Sequence, residues 1–190
     1  MRPVNSRGRQ PASKVQWIVL LIFLVMLPEL AWSGNGSRNT QADILATGLP
    51  IAAYALTGLK KDKEGAWAAT KSLGLTVAGT LALNTLVHKD TPTHDDNDAF
   101  PSGHSSVSFS SAAFMQRRYG WRTGLPAYAV AGYVGWLRVK ADQHDWTDVI
   151  GGAALGIGSS LLFTKPWTEK VALAPWIGPH GAGIEVFASW

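Results

Sequence analysis

Two short stretches concentrate the side chains that can move a phosphoryl group. The first is Phe100-Pro101-Ser102-Gly103-His104, at the head of one apolar run; the second is Arg138-x5-His144-x3-Asp148, leading into another. A helix that opens on Pro, Ser and Gly leaves backbone N–H groups free at its positive end, which suits an anion. His104 stands at that same start, where an imidazolium can give up a proton. His144 and Asp148 are four residues apart, so on a helical turn the carboxylate reaches the imidazole and sets its tautomer. Arg138 adds a permanent charge whose forked donors match phosphate oxygens. Two histidines in different roles, an arginine and an anion-binding helix end describe phosphoryl transfer through a histidine nucleophile. The chain has no cysteine, which excludes thiolate nucleophiles, thiolate zinc sites, iron–sulfur clusters and disulfides.

These residues need a scaffold, and 190 residues suffice for one domain with its own core. Charged residues make up 16% of the chain, against about 25% in ordinary soluble domains. Disorder is thereby excluded and a membrane setting is open. Apolar runs at 44–59, 66–87, 102–115, 125–137 and 149–164 predict five helices separated by polar loops. The mean hydropathy of +0.05 and the shortness of most runs keep a secreted, soluble helical domain in play beside a membrane bundle. The net charge is +4, but it falls to +1 without residues 1–33. The basicity therefore belongs to the N-terminus, and a nucleic-acid partner loses its support.

That N-terminus has Arg2, Arg7, Arg9 and Lys14, an apolar stretch at 15–27, and then Ala31-Trp32-Ser33. The layout is that of a signal peptide cleaved after Ser33 or, uncleaved, of a first transmembrane helix. If every run crosses once, twelve Lys and Arg fall on the N-terminal side and only Arg38, Lys89, Arg138 and Lys140 on the other. Retention of positive charge on the cytoplasmic side then places 89–101 and 138–148 outside and favours a membrane bundle. Gly152, Gly156 and Ser160 recur every four residues, as close helix packing requires. Ser105, Ser106, Ser108, Ser110 and Ser111 fit the same purpose. His88, His94 and His180 read as loop or turn residues, and the acidic 94–98 as a solvated loop lacking the pattern of a calcium site. Residues 171–177 and 182–190, around Gly178-Pro-His-Gly181, read as two short strands.

At its two chemical stretches the sequence resembles the type 2 phosphatidic acid phosphatase and haloperoxidase-like superfamily, in its bacterial membrane form. That family carries Lys-x6-Arg-Pro, then Pro-Ser-Gly-His, then Ser-Arg-x5-His-x3-Asp. Here the second motif is complete at Pro101 to His104, and the third is present with Leu137 in place of serine. The first departs: counting back from Pro92, the arginine falls on Thr91 and the lysine on Asn84. Lys89 is the nearby basic side chain and is taken as the substitute cation. The resemblance implies an all-α membrane helical bundle, here with a short C-terminal β-like tail. The helical phosphatase domain would occupy 34–165, between a signal peptide or first transmembrane helix at 1–33 and the tail at 166–190.

The activity so implied is a phosphatase needing no metal and no cofactor. It would hydrolyse a lipid phosphate or diphosphate on the periplasmic side of a bacterial inner membrane. His144 would form a phosphohistidine with Asp148 at its other ring nitrogen, and His104 would act as acid and then base. Arg138, Ser102, Gly103 and Lys89 would hold the phosphate. The partners are a membrane lipid phosphate and the bilayer. The alternatives are a non-catalytic relative binding an anionic lipid or a partner, and a secreted soluble acid phosphatase.

Overall fold

The computed structural model describes residues 35–93, 98–167, 170–178 and 181–189. The expected signal peptide or first transmembrane helix, the acidic loop from His94 and the turn residue His180 lie outside the described residues. Five helices follow one another: α1 (Asn35–Leu59), α2 (Lys63–Leu86), α3 (Gly103–Tyr119), α4 (Trp121–Lys140) and α5 (Trp146–Phe163). They precede an antiparallel hairpin of β1 (Lys170–Gly178) and β2 (Gly181–Ser189). The all-α bundle and its β tail thus match the expectation.

Short connections reverse the chain between neighbouring helices. Gly120 alone joins α3 to α4; its φ of 87° is open to glycine and costly for other residues. The N-caps are specific. Asp62 accepts from the Gly65 N–H at α2, and Asp145 accepts from the Thr147 N–H at α5. In return Asp148 accepts from the Asp145 N–H, completing a capping box that fixes the start of α5.

The interior is built from small residues and the exterior from large ones. Ser102, Ser105, Ser106, Ser108, Ser110 and Thr76 are fully buried, among alanines of every helix from α1 to α4. Ser106 and Thr76 hydroxyls donate back to the Ser102 and Ser72 carbonyls, and Thr76 also reaches Ser110 at 3.1 Å. Outside, Leu59, Leu81, Leu86, Leu125, Ile150 and Leu162 are each at least 62% exposed. Water would penalise that arrangement heavily, whereas lipid does not, because apolar side chains gain nothing by leaving hydrocarbon. Gly36–Leu59 and Trp146–Phe163 are also long and apolar enough to cross a membrane. The fold is a membrane helical bundle.

At the heart of it α3 packs on α5 through backbone. A Cβ on Gly152 would meet the Ser102 carbonyl oxygen at 2.6 Å, and one on Gly156 would fall on the Ser106 carbonyl oxygen. Gly158, two residues on, has open space. Gly156→Ala is therefore expected to lower thermal stability in detergent by about 1–3 kcal/mol or to prevent folding, and Gly158→Ala to leave it unchanged. Equal melting of the two variants would contradict this packing.

The opposite end of the bundle is sealed by a buried ion pair. Arg118 holds Asp62 bidentately, through Nε at 2.7 Å and Nη2 at 2.6 Å, and the Tyr119 hydroxyl donates to the same carboxylate at 2.9 Å. Arg118 Nη1 continues to the Lys165 carbonyl, and Trp167 N–H to the Arg118 carbonyl. The ends carrying His104, Arg138 and His144 lie together, away from this clamp, because the helices alternate in direction.

Candidate active site

The start of α3 meets the end of α4 and the start of α5, and the two motif stretches come together there. The Ser102 N–H donates to the Asp148 carbonyl at 3.1 Å, which ties the start of α3 to the first turn of α5. His144 is buried in the α4–α5 connection, with Nδ1 3.0 Å from the Ala99 carbonyl. A carbonyl only accepts, so Nδ1 carries the proton and Nε2 keeps its lone pair. Burial first, and then the charge of Arg138, hold the imidazolium down at about 4, so the ring is neutral near pH 7. A neutral imidazole with its Nε2 lone pair free of the proton is the form that attacks phosphorus.

Asp148 was expected to hold that ring. It is fully buried, yet its Oδ2 lies 3.7 Å from Nδ1, beyond a hydrogen bond. The Ala99 carbonyl takes the orienting place instead. The Asp148 carboxylate is engaged elsewhere, accepting from the Asp145 N–H and, at 2.6 Å, from the Lys89 ammonium.

Lys89, expected as a substitute phosphate cation, is engaged by acceptors at the start of α5. Its Nζ lies 2.8 and 2.9 Å from the two Asp145 oxygens and 2.6 Å from both Thr147 Oγ1 and Asp148 Oδ1. An ammonium has three protons, and these contacts consume them. Burial opposes the Lys89 charge, but the hydrogen bonds it donates to Asp145 and Asp148 outweigh it and raise its pKa. The Lys89 bond is likewise the main reason Asp145 stays down at about 2. Lys89 thus closes the cap of α5.

Arg138, expected as a phosphate-binding guanidinium, stands on the last turn of α4. Its Nη1 reaches Asn39 Oδ1 at 3.3 Å, while its Nε is buried without a partner. The Ser102 hydroxyl at the N-cap of α3 is also buried and without a partner. Both are donors of the kind that an anion satisfies. Gly103, the first residue of α3, offers its backbone N–H at the same helix start. Of the departed motif, Asn84 Nδ2 donates to the Asp98 carbonyl at 2.7 Å and its Oδ1 is buried unpaired. Asn84 therefore lies one residue away from the carbonyl that orients His144.

His104, the second residue of α3, does not stand alone. Its Nε2 is 2.7 Å from Asp43 Oδ1, on α1. Asp43 and the orienting Ala99 carbonyl were not among the sequence candidates. Neither belongs to a motif, and a backbone acceptor leaves no trace in residue types. Beside His104 and Gly103 an apolar groove opens between α1 and α2, lined by Ala46, Ile51, Tyr54, Val77 and Leu81. A second apolar cavity, between α1 and α4 near Leu56, Met115 and Val130, has no group capable of chemistry.

With this geometry in view, comparison with known proteins is informative. Residues 80–171 match the PAP2 superfamily, a span that holds all three motif positions. The lipid A 4'-phosphatase of Helicobacter pylori is 40% identical over 70 residues, covering 37% of this chain and 35% of that protein. The lipid A 1-phosphatase of Porphyromonas gingivalis is 30% identical over 141 residues, covering 68% of this chain and 31% of that protein. The chain thus spans about a third of the length of these curated relatives. The crystal structure of Aquifex aeolicus LpxE superposes with a TM-score of 0.59 at 16% identity, over 83% of this chain and 96% of that one, and shows the shared fold. The matched span, the relatives and the helical architecture agree with the two motifs converging at one end of the bundle: the chain belongs to the PAP2 superfamily.

Proposed function

We propose that the protein is a phosphatase that hydrolyses a phosphate or diphosphate carried by a membrane lipid, through a phosphohistidine on His144. The observation that carries the reading is the neutral His144, with Nδ1–H on the Ala99 carbonyl, in a site whose motif residues also supply two buried and unpartnered donors, Arg138 Nε and the Ser102 hydroxyl. His144 Nε2 forms a bond to phosphorus as the bond to the leaving oxygen breaks, and His104 gives that oxygen its proton. Water then attacks the phosphohistidine, the P–N bond breaks, and His104 takes the proton of the water. Arg138, the Ser102 hydroxyl and the Gly103 N–H stabilise charge on the equatorial oxygens, which peaks between the two states.

A lipid substrate is supported by the apolar groove that ends at His104 and by relatives named as lipid A phosphatases. The partition of Lys and Arg supports an outward, periplasmic site. The test is phosphate release by the purified protein in detergent from phosphatidate, phosphatidylglycerophosphate, undecaprenyl diphosphate and a lipid A phosphate. Release from at least one is expected, inhibited by vanadate and insensitive to chelators. Silence on every lipid would shift the reading to an anionic-lipid binder. Because the chain lacks cysteine, Asp98→Cys and Arg117→Cys can report sidedness in spheroplasts: an impermeant maleimide should label position 98 alone.

A further inference from the structure

We propose that Asp43 is the positioning residue of the second histidine, fixing the proton of His104 on Nε2 so that Nδ1 is the nitrogen that exchanges a proton with the substrate. This rests on the phosphatase reading above. Asp43 Oδ1 lies 2.7 Å from His104 Nε2, and a carboxylate accepts, so that nitrogen carries its proton in both charge states of the ring. Asp43 is the one acidic residue of α1 and stands in its polar first turns, directly ahead of the apolar run at 44–59. Stability does not account for it, since the Asp43 side chain is 58% exposed and an exposed ion pair contributes little.

The neighbouring turn of α1 points to the same role. Asn39, four residues before Asp43 and on the same helical face, accepts from Arg138 Nη1. One face of α1 therefore sets both groups that the bound phosphate ester would meet, the guanidinium through Asn39 and the imidazole through Asp43. In the first half-reaction Nδ1–H passes to the leaving oxygen as the P–O bond breaks, while Nε2–H stays on Asp43. In the second, Nδ1 receives the proton of the water as oxygen bonds to phosphorus and the P–N bond of His144 breaks.

The test compares kcat/KM, which ends at the first irreversible step, for a lipid phosphate and for p-nitrophenyl phosphate, whose leaving group needs no proton. Asp43→Asn is expected to cost about tenfold or more on the lipid and less than about threefold on the nitrophenyl ester. Asp43→Glu should recover part of the loss. In a His104→Ala background Asp43→Asn should change nothing further, because the effect passes through that ring. Equal losses on both substrates, or an undiminished loss without His104, would make Asp43 merely structural. A gain in activity would mean that Asp43 obstructs His104. Wild-type protein inactive on both substrates would instead defeat the phosphatase reading, before any variant is made.

Discussion

His144→Ala is expected to lower kcat/KM for a lipid phosphate by about four powers of ten or more, while the protein still folds and extracts normally. The ring makes one polar contact that the fold uses, the Nδ1–H bond to Ala99, so truncation removes little else. Losing a covalent nucleophile leaves the helix end and Arg138 to act on water alone. The same ring gives a pH signature in the wild type. With its imidazolium held down at about 4 by burial and Arg138, the free enzyme keeps its nucleophile deprotonated well below the ordinary histidine range of about 6.5. The acid limb of kcat/KM, which reports the free enzyme, should therefore lie near pH 4. A limb near 6.5, or substantial turnover by His144→Ala at any pH, would remove His144 from the centre of the mechanism. The sign for folding follows. The unfolded chain binds a proton at this histidine between about 6.5 and 4 that the folded chain refuses, so His144 makes stability fall as pH drops through that window.

The residues that sequence made visible are those carried on contiguous motifs. His104, Arg138 and His144 each sit a fixed few positions from a helix end, and helix ends are where backbone donors and the dipole force chemistry to gather. The helix interiors were legible for a similar reason, since apolar runs at 44–59 and 149–164 fall within α1 and α5 save for one residue at the end. The starts were not. Helix α1 begins at Asn35, nine residues before its apolar run, and those polar turns hold Asn39 and Asp43, which reach Arg138 and His104. Hydropathy marks the part of a helix that lipid touches and says nothing of the turns that project beyond it. Helix α4 likewise ends at Lys140 and not at 137, which puts Arg138 on a rigid turn. The partner of Lys89 was hidden by distance along the chain, 56 residues to Asp145 and 59 to Asp148, with no local pattern joining them.

That partner decides the last and largest question about the departed first motif. If Lys89 were the phosphate cation, its removal would weaken substrate and transition-state binding and leave the fold alone. With its ammonium bound to Asp145, Thr147 and the fully buried Asp148, the opposite is expected. Lys89→Met keeps the apolar stem and deletes the charge, leaving the Asp148 carboxylate with the Asp145 N–H as its remaining strong donor. Breaking a buried pair costs about 3–5 kcal/mol; because the Lys89 side chain is 30% exposed, about 2–3 kcal/mol of folding stability is the expected loss, with KM nearly unchanged. On that assignment Asn84→Lys with Thr91→Arg should raise kcat/KM by about tenfold or more. Asn84 already touches the Asp98 carbonyl, next to the carbonyl that holds His144, so a cation at position 84 would stand one residue from the group that orients the nucleophile. Lys89→Met with intact thermal stability and a sharply raised KM would reverse the assignment, and no gain from the double restoration would mean that Arg138 and the start of α3 suffice.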